Sequence, residues 1–212
     1  TRLAPVNAST SFVKSLLAQC CLGGICEWVV CPGARNMALL QVLAAAEDLV
    51  KWTHFDERSA AFFALGRIQD MGLPAAVVTT SGTAAAELLP AVVEAYYQRR
   101  PLLLLTADRP ADYRGSAAPQ AIEQADMFGI YAPTIDLQTP DDLPEDILED
   151  WDYASPLHIN VCLPDPDPAW NPGHCDLYPA EPPEENEFRG SLSDLAQALR
   201  FKARRGLVLM LG

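Results

Sequence analysis

The 212-residue chain carries 15 basic and 28 acidic side chains, a formal net charge of −13, and half of it is apolar. This balance suits one large domain with a sizeable core, and it excludes a disordered tail, a collagen-like fibre and a set of small stapled modules. The acid excess, with no Lys/Arg cluster beyond Arg99-Arg100 and Arg204-Arg205, also excludes a surface that wraps nucleic acid.

A first helix is expected from Asn7 or Ser9, either of which can cap it, to the stop at Gly23-Gly24, with Phe12, Val13, Leu16 and Leu17 on one face. Trp28–Cys31 reads as a compact strand, and Asn36 as the cap of a helix from Met37 to about Ala46. Lys51–Phe55 is the next strand, followed by a helix from about Glu57 to Asp70. Ala75–Thr79 is a strand of small and β-branched residues. The helical pattern of Thr83–Gln98 is interrupted at Pro90, where a kink is expected. Leu102–Leu105 is an uninterrupted apolar strand, a helix is predicted over Leu143–Tyr153, and Leu157–Val161 completes the set.

Strands that alternate with helices and run apolar on both faces predict an α/β fold, an open parallel sheet with helices on both faces. Ligands of such sheets bind beyond the carboxyl ends of the strands. Four loops fall there: Pro32–Asn36, Asp56-Glu57, Thr80–Thr83 and Ala107–Gln120. They hold nearly all the chemically suggestive residues before position 125.

Beyond Gly115 the composition changes, for no Lys or Arg occurs up to Phe188 while 17 of the 28 acids do. Proline and acid recur from Leu163 to Glu187 (P-D-P-D-P, N-P, E-P-P-E-E-N-E), which predicts an extended, solvated linker. A helix over Leu192–Arg204 and a strand over Leu207–Leu211 follow. The expected organisation is a domain over 1–163, a linker over 164–190, and the start of a truncated second α/β domain over 191–212.

Cysteines at 20, 21, 26, 31, 162 and 175 form no C-x-x-C pair, and His174-Cys175 is the only Cys-His neighbour. Reduced, mostly buried thiols are expected rather than zinc ligands, and no metal site is assigned. No apolar run reaches the roughly 18 residues of a membrane helix. The opening TRLAPVNAST lacks a signal core, so a cytoplasmic protein without membrane insertion is expected.

Glu57 stands at a strand end and a helix start, where a carboxylate can accept backbone N–H groups or meet a ligand donor. Burial would raise its pKa and let it share a proton with a ligand base. On the residues alone a helix-start acid is the plainer reading, with Asp56 the cap and His54 a core histidine. Thr80-Ser81-Gly82-Thr83 joins strand to helix, so its hydroxyls and amides suit either capping or a polar ligand. Arg35 and Arg109 are loop arginines whose guanidinium forks suit carboxylates, with a surface ion pair as the plainer alternative for each. Asp108 either orients Arg109 or caps a turn, and Gln120 and Gln124 are weak signals beside a short helix. G-x-S-x-G, G-x-G-x-x-G and the P-loop pattern are absent, which weighs against a nucleophile elbow and a nicotinamide-dependent oxidoreductase.

Taken together, CPGARNMALL, HFDERSAAFFALG, TTSGTAAAELLPAVVEAYYQRRPLLLLTADRP and APQAIEQ resemble the amino-terminal, pyrimidine-binding domain of a known family. It is the 2-succinyl-5-enolpyruvyl-6-hydroxy-3-cyclohexene-1-carboxylate (SEPHCHC) synthase family, thiamine-diphosphate enzymes of menaquinone and phylloquinone biosynthesis. The likeness runs over roughly residues 5–135.

The resemblance implies decarboxylation of 2-oxoglutarate on thiamine diphosphate and addition of the succinyl unit to isochorismate. It implies that Glu57 is the catalytic acid that hydrogen-bonds the pyrimidine ring of the cofactor. Pro32, Thr80, Ser81, Gly82 and Gln120 would shape the cofactor pocket, and Arg35, Arg109 and Gln120 would contact substrate. Where members commonly carry S-P-G-S-R this chain has C-P-G-A-R, so Ala34 brings no hydroxyl. A usual Asn is Glu87, and G-A-N-Q reads A-A-P-Q with Pro119. The family's diphosphate and Mg2+ site, a Gly-Asp-Gly element with a downstream Asn, has no match here. The implied chain is therefore the inactive N-terminal part of a homodimer or homotetramer. A non-catalytic binding or dimerisation module derived from the family is the alternative.

Overall fold

A computed structural model describes residues 6–167 and 169–179. The helix expected over 192–204 and the strand over 207–211 lie outside the described residues. Six strands form one sheet: β1 (Glu27–Val30), β2 (Val50–Thr53), β3 (Ala75–Thr79), β4 (Leu102–Asp108), β5 (Thr134–Leu137) and β6 (Leu157–Cys162). Their order is β2-β1-β3-β4-β6-β5, and every neighbouring pair is parallel. All carboxyl ends therefore share one edge.

The helices are α1 (Val6–Leu22), α2 (Met37–Ala45), α3 (Glu57–Met71), the single turn α4 (Thr83–Ala86) and α5 (Leu89–Tyr97). β1, β3, β4 and β6 are buried at every position, because helices cover both faces of the sheet. On one face Trp28, Val78, Leu103, Leu105 and Ile159 meet Leu16, Leu17, Leu39 and Leu43 of α1 and α2. On the other, Val29, Val77, Leu102 and Leu104 meet Ala61, Leu65 and Ile68 of α3 and Ala91 and Val92 of α5. Small alanines on α3 and α5 let these helices lie close to the sheet.

Pro90 breaks the expected long helix. It has no N–H to donate, and the chain restarts as α5 with proline in its first turn. Helix 143–153 does not form. Pro144 opens that segment, and side chains take the groups a helix would use. Gln19 accepts from the Ile147 N–H at 2.8 Å and donates to the Pro144 carbonyl at 2.9 Å, and Asp146 accepts from the Leu148 N–H at 2.9 Å. Ile147, Leu148 and Trp151 still reach the core. β5 was not expected. It is a short, half-buried edge strand, so its Thr-Ile-Asp-Leu carries little apolar pattern.

After β6 the described residues form neither helix nor strand, as proline requires, yet they do not float free. Cys175 and Leu177 are buried in the α1/α2 face, and Gln41 donates to the Trp170 carbonyl at 3.0 Å. Among the described residues no helix is long and apolar enough to cross a membrane. The described cysteines are unpaired, five of them buried.

Candidate functional site

The connection leaving β1 turns to one side of the sheet and that leaving β3 to the other, so the strand order reverses between these two strands. A crevice opens at such a reversal and is the usual ligand position of an open α/β sheet. Its walls are the loops Pro32–Asn36 and Thr80–Thr83.

Asn36 builds the first wall. It was expected to cap α2, but its side chain makes no cap bond. Instead, fully buried, it donates to the Cys31 carbonyl at 2.9 Å and accepts the Gly33 N–H at 2.9 Å, curling the loop. Gly33 then passes so close to Thr80 that a Cβ would lie 2.5 Å from the Thr80 Cβ. Only glycine permits that approach.

The second wall is held from below. Gly82 has φ +77°, and its N–H donates to Gln124 Oε1 at 2.9 Å. A Cβ on Gly82 would stand 3.1 Å from the Gln120 backbone, so the third loop is pressed against this turn. Gln120 itself is exposed with φ 55°, and Arg109 Nε donates to the Pro119 carbonyl at 2.9 Å beside it. That contact needs only a carbonyl, which Pro119 retains. Thr80 and Ser81 are almost fully buried, yet their side chains make no hydrogen bond to a described residue. The buried Thr79 hydroxyl likewise has no partner. The Thr80 and Ser81 hydroxyls, with no bond to a described residue, are left to meet a polar ligand, while the buried Thr79 hydroxyl is the one that burial would otherwise see paired.

The turn after β2 separates two adjacent acids. Asp56 caps α3 by accepting the Ser59 N–H at 2.7 Å, as expected. Glu57, half-buried in the first turn, makes no hydrogen bond or ion pair with a described residue. Its charge reaches β1: burial first, then Glu57 and Asp56, push the Cys31 thiol up to about 12. The fold thus commits Asp56 to the helix and leaves the Glu57 carboxyl open. His54 is half-buried just past β2, tilted against the Phe63 ring, rather than a core histidine.

Pro32, Thr80, Ser81, Gly82, Arg109 and Gln120 are thus joined by direct packing or short links. Arg35 is not aimed at an open site. Its Nη1 donates to the Leu163 carbonyl at 3.1 Å and its Nη2 pairs with Asp165 at 2.7 Å. Arg109 lies over the Tyr113 ring, 5.3 Å from its centroid, and its N–H donates to Asp108 Oδ1 at 2.7 Å. Ala34 and Glu87 are exposed.

Beneath these loops lies a buried polar layer that the sequence did not announce. Asn160 donates to Asp108 and Asp136, while Arg114 forks onto Asp136 at 2.7 and 2.8 Å. Although burial opposes it, hydrogen bonds from Arg114, Asn160 and Gln138 hold the Asp136 carboxyl down at about 2. These residues come from three strands and a loop, so no local spacing joins them.

Glu57, with no bond to a described residue at the carboxyl end of β2, and the hydroxyls of the turn after β3 share the carboxyl-end edge of one parallel sheet, a donor set that suits an aminopyrimidine, whose ring nitrogen can share a proton with a carboxyl group. Among the described residues no group of three or more His, Cys, Asp or Glu side chains is placed to hold a metal ion. Comparison with known proteins agrees with the geometry. Residues 13–127 match the family described as thiamine pyrophosphate enzyme, N-terminal TPP binding domain. The chain is 89% identical over 207 residues to a SEPHCHC synthase of Akkermansia muciniphila, covering 98% of this chain and 39% of that protein. It is 42% identical to the Geobacillus thermodenitrificans synthase, over 76% of this chain and 30% of that protein. The Chloroflexus aurantiacus synthase is 48% identical over 65% of this chain and 24% of its own length. The chain spans well under half of these relatives. With more than half of its residues matched, the chain belongs to the thiamine pyrophosphate enzyme family and carries its N-terminal TPP binding domain.

Proposed function

We propose that this chain is the pyrimidine-binding part of a SEPHCHC synthase, acting in menaquinone biosynthesis on 2-oxoglutarate and isochorismate. The 89% identity to one such enzyme over 98% of the chain supports that reading over a non-catalytic module. In it, residues 1–163 are the pyrimidine-binding domain, 164–190 a connector and 191–212 the start of the next domain. Thiamine diphosphate supplies the carbon chemistry when bound.

The chain's own part is to seat and protonate. Glu57 holds a proton against a ring nitrogen of the pyrimidine, as its uncommitted carboxyl allows. Pro32, Thr80, Ser81 and Gly82 would form the wall against which the ring is held, with the Thr80 and Ser81 hydroxyls to orient it. Gln120 lies where that wall meets substrate. Arg109 offers its guanidinium group to substrate carboxylates, and Arg35 does so once its contacts with the Leu163 carbonyl and Asp165 are released. Mg2+ and the diphosphate are held by a domain outside these residues. The enzyme is a cytoplasmic homodimer or homotetramer, and the present residues alone are inactive.

The observation that carries the proposal is the division of labour between Asp56, bound to its helix, and Glu57, left open. In the full-length protein, Glu57→Gln should lower turnover by roughly a hundredfold or more, within the range for loss of a positioned acid. Its melting temperature should stay near wild type. Undiminished turnover would remove Glu57 from the reaction.

A further inference from the structure

Gln124 was a weak signal in the sequence and has no role in the reading above, yet its amide is the most heavily engaged side chain near the crevice. It is fully buried. Its Oε1 accepts the Gly82 N–H at 2.9 Å. Its Nε2 faces Thr106 Oγ1 at 3.0 Å, the Ala107 carbonyl at 3.1 Å and Asn160 Oδ1 at 2.9 Å. One side chain from the third loop thus ties the end of β4, a residue of β6 and the turn after β3 together.

The bond to Gly82 has a directional consequence. Among the described residues no peptide is cis, and in a trans peptide the N–H and the preceding carbonyl point in opposite directions. Holding the Gly82 N–H toward Gln124 therefore turns the Ser81 carbonyl away from it. That carbonyl and the Ser81 hydroxyl make no hydrogen bond with a described residue. Glycine's rotational freedom at φ +77° would otherwise let the peptide flip, exchanging an acceptor for a donor at the wall. The same turn presses on Gln120, so a flip would disturb both loops.

We propose that Gln124 is a positioning residue for the cofactor wall: by holding the Gly82 N–H it presents the Ser81 carbonyl and hydroxyl to the aminopyrimidine. This rests on the reading that residues 80–82 face thiamine diphosphate.

The test is titration of the full-length apoprotein with thiamine diphosphate and magnesium. It compares wild type, Gln124→Met, Gln124→Glu and Thr106→Val. Met keeps the length of the side chain and removes every hydrogen bond, Glu keeps an acceptor for Gly82, and Thr106→Val disturbs the same buried layer without touching the turn. Gln124→Met should bind the cofactor about tenfold more weakly, as expected for one lost buried hydrogen bond. Thr106→Val should stay within about twofold of wild type even where its melting temperature falls as far. Gln124→Glu should recover part of the affinity lost in Gln124→Met at a pH where its carboxyl is protonated, since a carboxylate would set an acceptor against the Ala107 carbonyl and Asn160 Oδ1. Equal weakening in Gln124→Met and Thr106→Val, or wild-type affinity in Gln124→Met, would overturn the role of Gln124 while the cofactor reading stands. A wild-type protein that does not bind thiamine diphosphate would overturn that reading and this one with it.

Discussion

His158 shows how a buried side chain ties stability to pH. It lies inside the sheet, its Nε2 2.7 Å from the Thr106 hydroxyl and its Nδ1 2.9 Å from that of Thr134, with Phe128 edge-on at 4.8 Å. Burial pulls its pKa down from 6.5 to about 3, against the opposing pull of Asp136. The unfolded chain therefore takes up a proton near pH 6.5 that the folded chain refuses. The stability that depends on neutral His158 is complete above that pH and is lost as pH falls toward 3, by about 1.4 kcal/mol per unit. Asp136, held at about 2, adds a separate loss only as pH falls from about 4 to about 2. Urea unfolding at pH 6.0 and pH 5.0 should show the His158 slope, and His158→Gln should flatten it. An unchanged slope in that variant would show that another group carries it.

At the scale of elements, the sequence was most legible where burial is complete. β1, β3, β4 and β6 are buried along their length and mostly apolar, and each was found to within a few residues. The loops at their carboxyl ends followed from the parallel order. Helix 143–153 misled because its apolar spacing is real but serves an irregular segment bonded through Gln19. β5 was missed because a half-buried edge strand carries little pattern. The candidate site was only partly readable. Loop residues and the local Asp56 cap could be named, but the pairing of Arg35 with Asp165 and the bonds of Gln124 depend on contacts distant in sequence. The Gly33–Thr80 approach is another such contact, and it makes a prediction. Gly33→Ala should destabilise the protein by about 2 kcal/mol through overpacking and weaken cofactor binding. Adding Thr80→Gly should recover much of the stability, as a double-mutant cycle of thermal melts would show. Independent, additive losses would mean that the two loops do not bear on one another.

For the whole molecule, the sheet face covered by α3 and α5 carries unusual apolar exposure. Phe62 and Leu89 are partly open on these helices, Tyr97 is 71% exposed, and Ile130 near the end of α5 is 76% exposed. Phe55, two residues before Glu57, is 97% exposed. Large apolar side chains left open along one pair of helices suit an interaction surface. The full-length protein should therefore sediment as a dimer or larger, and Tyr97→Glu with Ile130→Glu should shift it toward monomer. A strict monomer at high concentration would contradict the proposed assembly.

The proposed reaction depends on the open carboxyl of Glu57. It is tested most directly by the exchange of the thiazolium C2 proton of thiamine diphosphate bound to the full-length protein. Quenched-flow exchange into deuterium, read by NMR, isolates proton transfer from every later step. Glu57→Gln should slow this exchange by roughly a hundredfold or more, within the range for loss of a positioned acid, while the cofactor still binds. Exchange at the wild-type rate in that variant, with the cofactor bound, would contradict the account.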